Sequence, residues 1–136
     1  MAHAVFTAPF FSVGGTDLSS HVRAATLDYE ADGVDDTSGG DTTHIFLGGL
    51  KNWTMEIDFG QDFAASQVDA TLFSVIGTTA ALILRPVNTG GVGATNPNYT
   101  GTGLLQKYSI IGQSQGELAV ARLSVLPAGN LSRATS

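Results

Sequence analysis

The chain is 136 residues long, the size of one ordinary domain built on a single core. It is 43% hydrophobic but only 13% charged, about half the usual charged share, which excludes an intrinsically disordered chain and leaves a surface of Thr, Ser, Gly, Asn and Gln suited to packing against copies of itself. The formal net charge is -6 and the basic residues Arg23, Lys51, Arg85, Lys107, Arg122 and Arg133 are scattered, which excludes a phosphate-gripping basic patch; the lack of cysteine excludes disulfides, thiolate metal sites and a cysteine nucleophile.

At the N-terminus, Met1-Ala2-His3-Ala4-Val5-Phe6 has neither the basic start nor the apolar run of a secretory signal, and no stretch reaches the ~18 apolar residues of a membrane helix. The expectation is a protein made in the cytoplasm that stays soluble. A first strand is predicted near 9–13, ended by Gly14-Gly15, and Thr16-Asp17-Leu18-Ser19-Ser20 reads as a turn with local side-chain to backbone hydrogen bonds. The strand predicted over 23–32 alternates, with Ala25, Leu27, Tyr29 and Ala31 on one face and Thr26, Asp28, Glu30 and Asp32 on the other.

Residues 33–43 are polar and glycine-rich, too long for a tight hairpin, and read as a projecting loop that carries Asp35, Asp36 and Asp41. A short strand over 44–47, a turn at Gly48-Gly49 and a strand over 51–59 follow, the last with Trp53, Met55, Ile57 and Phe59 inward and Asn52, Thr54, Glu56 and Asp58 outward. Residues 67–76 read as a helix, with Ser66 as N-cap, Asp69 completing a capping box, Gly77 as the stop, and Val68, Leu72, Phe73, Val75 and Ile76 as one apolar stripe.

Residues 80–84 are apolar on both faces, a strand covered on two sides, and Pro86 places its end near a sheet edge. A second long loop spans 88–100, a hairpin pairs 103–111 with 117–126, and 127–136 is read as a flexible polar tail, free or laid on a neighbouring subunit. The expected architecture is one domain over 1–136, mainly β, a β-sandwich or β-barrel with one flanking α-helix.

Motifs that carry chemistry are absent from this pattern. His3, His21 and His44 have no partner at metal-ligand spacing, and no nucleophile elbow, phosphate loop or dinucleotide fingerprint occurs. Glu56 with Asp58, or Asp28 with Glu30, could form an acid and base pair, but alternation puts each on an open polar face and not in an apolar pocket. The acidic loop from Asp32 to Asp41 lacks EF-hand spacing and reads as solvated. No catalysis, cofactor or metal is expected.

The carboxylate faces are more informative. Asp28, Glu30 and Asp32 share a side of one strand and Glu56 and Asp58 share a side of another; if the strands adjoin, like charges meet, and such a face must look at water. An acidic wall repels phosphates, which suits the lining of a pipe through which DNA slides; an ordinary solvated outer face is the alternative.

The run Leu47-Gly48-Gly49-Leu50-Lys51-Asn52-Trp53-Thr54-Met55-Glu56-Ile57-Asp58-Phe59, then Gln61-Asp62-Phe63 and Val68-Asp69-Ala70-Thr71-Leu72-Phe73, resembles the centre of the short major tail proteins of siphophages, particularly those of actinobacteria. Ala80-Ala81-Leu82-Ile83-Leu84-Arg85-Pro86, Asn96-Pro97-Asn98-Tyr99-Thr100-Gly101, Leu105-Gln106-Lys107-Tyr108 and Val120-Ala121-Arg122-Leu123-Ser124-Val125 continue it in order. The resemblance implies a structural virion protein that is not an enzyme, with no cofactor and no membrane contact. It implies hexameric rings stacked into a tail tube, around a tape-measure protein that DNA later replaces, with a tail terminator as a further partner. It places the protein in the virion tail, and in the host cytoplasm during assembly. On that reading Asp28, Glu30, Asp32, Glu56 and Asp58 are expected at the lumen and the 33–43 loop at a ring-to-ring contact. A capsid decoration or head-tail joining protein, and a monomeric ligand-binding β-sandwich with an exposed aromatic platform, remain the alternatives.

Overall fold

A computed structural model describes residues 6–89 and 91–136. Residues 1–5, on which most of the reading of the leader rests and which include His3, lie outside the described residues. In chain order the elements are β1 (Phe10–Val13), β2 (Thr16–Asp17), a 3-10 turn (Ser19–His21), β3 (Val22–Asp35), β4 (Phe46–Gly60), α1 (Val68–Val75), β5 (Thr79–Arg85), β6 (Asn98–Ser109), β7 (Val120–Pro127) and β8 (Ser132–Ala134). All strands belong to one antiparallel sheet, ordered β2-β1-β5-β6-β7-β4-β3, with β8 beside β6.

Period-two patterning makes the sheet one-sided. In β4, Trp53, Met55, Ile57 and Phe59 are buried while the residues between them face outward. The buried set joins Leu123 and Val125 of β7, Leu105 of β6, Leu82 and Leu84 of β5, and Phe11 and Val13 of β1 in a single core. Although β5, β6 and β7 separate β1 from β4 along the sheet, the rings of Phe11 and Phe59 meet at 5.7 Å. The sheet therefore curls over until its two ends share one interior. Trp53 reaches across β7 to lie on Gly101 and Gly103 of β6, and its indole N–H donates to the Gly129 carbonyl at 2.9 Å.

Several elements differ from the sequence reading, each for a local reason. Gly48-Gly49 does not turn the chain: β4 runs unbroken from Phe46 to Gly60, and the pair sits at a bulge where the register passes from Ala31↔Lys51 to Gly33↔Gly48. Gly33–Asp35 pairs with Phe46–Gly48, so the connection is residues 36–45. The helix begins at Val68 without a side-chain cap; Ser66 instead takes a left-handed turn at φ 63, and the Asp69 carboxylate accepts the Tyr108 hydroxyl at 2.9 Å. Its apolar residues do not form one buried stripe, because Val68 and Leu72 are inside while Phe73 is 68% exposed. β5 is flanked by β1 and β6 and is not near an edge. The polar C-terminal segment contributes β8, which pairs Tyr99 with Arg133. The turn expected at 16–20 is the short strand β2 followed by the 3-10 turn, with Asp17 accepting the Ser19 amide at 2.8 Å and the Ser19 hydroxyl.

Candidate functional site

Two surfaces stand out, a polar sheet face and a long hairpin. The face follows from register: residues directly opposite one another across antiparallel strands share a side. One row runs Ala24, Asp58, Arg122, Ser109 across β3, β4, β7 and β6, and the next runs Thr26, Glu56, Ser124, Lys107. Asp28 stands opposite Thr54, and Glu30 opposite Asn52. The strands that carry the carboxylates do adjoin, but like charges do not meet directly. Each acid faces an uncharged residue of the partner strand, so the repulsion expected from the sequence is relieved by interleaving.

Neighbours on the same face take up the carboxylates. Arg122 donates to Asp58 through Nε at 2.7 Å and Nη2 at 3.2 Å, which holds the guanidinium above its ordinary pKa through the hydrogen bonds and charge of Asp58. The Ser124 hydroxyl lies 3.5 Å from a Glu56 oxygen, and the Asn52 amide 3.5 Å from Glu30. Asp32 lies at the bulge opposite Gly49. Among the described residues no group of three metal-ligating side chains gathers, and none of these carboxylates sits in an apolar pocket.

The β3–β4 hairpin is the second surface. Every residue from 28 to 51 is exposed, including Tyr29, Val34, Ile45, Phe46, Leu47 and Leu50, the last at 82%. Unpartnered apolar side chains in such number mark a contact surface. The tip is nevertheless ordered from within. Asp36 N–H donates to Ile45 O at 2.7 Å, Ile45 N–H to the Thr37 hydroxyl at 2.9 Å, Thr37 N–H to Asp35 at 2.8 Å and Ser38 N–H to Asp41 at 2.7 Å. Hydrogen bonds from the Thr37 hydroxyl and then its amide hold the Asp35 carboxyl below its ordinary pKa. Asp35 and Asp41 are thus committed to shaping the turn, Asp35 as an Asx-type acceptor from the amide two residues on and Asp41 by reaching back to the Ser38 amide.

Other polar side chains brace the scaffold. Arg85 binds the carbonyls of Val87 and Asn88 and the Asn98 side chain, and lies 4.4 Å over the Phe10 ring, fixing the loop after β5. Tyr108 accepts from Gln61 at 2.9 Å and donates to Asp69; burial, followed by the Asp69 carboxylate and against the Gln61 bond, pushes its pKa up to about 12. His21 meets Gln67 at 2.7 Å beside Asp62, and His44 lies near Phe46. Trp53 is only 3% exposed and forms no aromatic platform. Sequence reasoning missed Arg122 and Lys107 as members of the polar face. The signal for Arg122 was the same alternation that exposed the acids, since Ala121 and Leu123 point inward on either side of it in β7; Lys107 gave none, because it follows the buried Leu105 by two residues and only the bulge between them in β6 turns it outward.

No protein-family model matches the chain, and no curated protein matches it. Solved structures do. A chain of the virion of a native gene transfer agent particle superimposes with a TM-score of 0.73 at 16% identity, over 93% of this chain and 95% of that one. The tail of an empty gene transfer agent particle, refined with C6 symmetry, gives 0.69 at 17% identity over 92% of each. The SPP1 tail tube gives 0.70 at 6% identity over 95% of this chain and 76% of that one. Over 92% of its length this chain has the fold seen in a gene transfer agent tail, and over 95% that of the SPP1 tail tube.

Proposed function

We propose that this chain is a tail tube subunit, a structural virion protein that closes into rings of six and stacks them into a conduit for double-stranded DNA. The observation that carries the reading is the match of fold over nearly the whole chain to structures solved as tail assemblies, one of them with six-fold symmetry. The hairpin supports it, because a strand pair exposed along 28–51 with six large apolar side chains needs a partner outside its own chain. In the tube, Asp28, Glu30, Asp32, Glu56 and Asp58 line the lumen, where their charge repels phosphates and lets DNA pass without adsorbing. The hairpin tip at Asp35, Asp36 and Asp41 meets the adjacent ring. A tape-measure protein occupies the lumen before DNA, and a tail terminator caps the stack.

Negative-stain microscopy of the purified protein tests the reading. Hollow tubes or rings are the expected result; persistent monomers, or trimers that coat capsids, contradict it.

A further inference from the structure

The sheet curls over its core but does not close. β3 is its last strand, with β4 as its one neighbour, and the inward side of β3 is covered only in part: Leu27 is half-buried and Tyr29 is 54% exposed. Beneath it lies an apolar groove of about 370 Å³, with Leu27 and Tyr29 on one wall and Leu84, Pro86, Tyr99 and Leu131 on the other. No charged side chain lines it, and no strand among the described residues lies beyond β3 to close its mouth.

The opposite end of the polar face carries a matching feature. There α1 runs along the edge of β6 that faces away from β7: the Asp69 carboxylate accepts the Tyr108 hydroxyl at 2.9 Å, and the Gly77 N–H donates to the Leu105 carbonyl at 2.9 Å. Phe73 follows Asp69 by four residues, about one helical turn, so both side chains project from the side of α1 that looks toward β6. Asp69 is engaged there, whereas Phe73 is left 68% exposed. Of the other exposed aromatic side chains among the described residues, Phe6 and Tyr29 line the groove, Phe46 is on the hairpin and Phe63 precedes the helix.

One chain cannot join these two features, because β4 and β7 separate β3 from β6, about 14 Å at ~4.8 Å per strand. Successive copies in a ring can. With the polar face turned inward, neighbours meet at the lateral ends of that face, and a contact between unlike ends runs head-to-tail until the ring closes. We propose that Phe73 of one copy seats in the apolar groove under β3 of the next, a knob that covers the open side of its neighbour's core. A seated phenylalanine adds about 150–250 Å² of burial at each contact and meets no charge on the groove walls. The apolar side chains of the hairpin are the rival occupant, but they extend along the strand direction past Gly33 and Gly48, toward an adjacent ring rather than sideways. This inference rests on the tube reading and adds to it a contact within each ring and the residue that makes it.

Two measurements test the seat. Phe73→Ala should leave the urea midpoint of the dilute subunit unchanged, because the side chain is exposed there, yet raise the concentration needed for assembly about tenfold or more. For the second, Phe73→p-benzoylphenylalanine is co-assembled with an excess of wild-type copies and irradiated, and the crosslinked peptides are mapped by mass spectrometry. Crosslinks from residue 73 to 25–29, 84–86, 99 or 131 of a second copy are the expected result. Crosslinks that fall on the hairpin at 34–50 or elsewhere, no crosslink in tubes that contain the variant, or Phe73→Ala tubes forming at the wild-type concentration overturn the proposed seat while leaving the tube. A wild-type protein that stays monomeric overturns the tube reading and this contact with it.

Discussion

Gly101 and Gly103 show how closely single residues are set in this core. A Cβ at Gly101 would come within 2.8 Å of the Trp53 ring, and one at Gly103 would collide with Val125 and Leu82. The indole occupies the space that two missing side chains leave on β6. Gly103→Ala should therefore destabilise the fold by about 1–3 kcal/mol through overpacking, measured by urea unfolding, with a red-shifted Trp53 emission as the indole is displaced. Tyr108 supplies a pH-dependent counterpart. Its folded pKa of about 12 lies above the ordinary tyrosine value of 10.0, so the folded state holds its proton more tightly than the unfolded state. That contribution is complete below pH ~10 and is lost as pH rises through about 12. Unfolding titrations should show stability falling across this window, and Tyr108→Phe should flatten the fall while costing about 1 kcal/mol at neutral pH for its lost hydrogen bonds.

At the scale of elements, the hairpin and the helix show what alternation conveys and what it hides. The core residues of β4 and the polar partners between them were legible because a strand buried on one face repeats every two residues. The extent of the hairpin was not. Gly48-Gly49 has the composition of a turn, and only the bulge opposite Asp32, a product of pairing with a distant strand, shows the chain running straight through. The helix misled in the same way: its apolar count is that of a buried stripe, yet Phe73 points outward, and Asp69, spaced for a capping box, is claimed by Tyr108 from β6. Because residues 28–51 are exposed in one chain, trimming the tip should cost the fold little. Replacing 36–45 by Asn-Gly should change the urea midpoint by the equivalent of about 0.5 kcal/mol or less and leave rings that no longer stack, as counted by electron microscopy. Loss of cooperative unfolding in that variant would mean that the hairpin belongs to the core.

For the whole molecule, the polar face becomes informative only when the strands are placed side by side. The sequence exposes the segregated carboxylates, but their meaning depends on neighbours more than sixty positions away: Arg122 on Asp58 and Ser124 beside Glu56. Registry turns a supposed wall of like charge into a graded surface, acidic at β3 and β4 and basic at β6 and β7, on a curled sheet whose apolar side is filled. On the proposed function, this face lines a tube built from copies of the chain. Helical reconstruction of the assembled protein by cryo-electron microscopy, at a resolution that traces side chains, tests it most directly. The prediction is a hollow six-fold stack with Asp28, Glu30, Glu56 and Asp58 on the inner wall; a tube with those residues on its outer surface, or no tube at all, would contradict it.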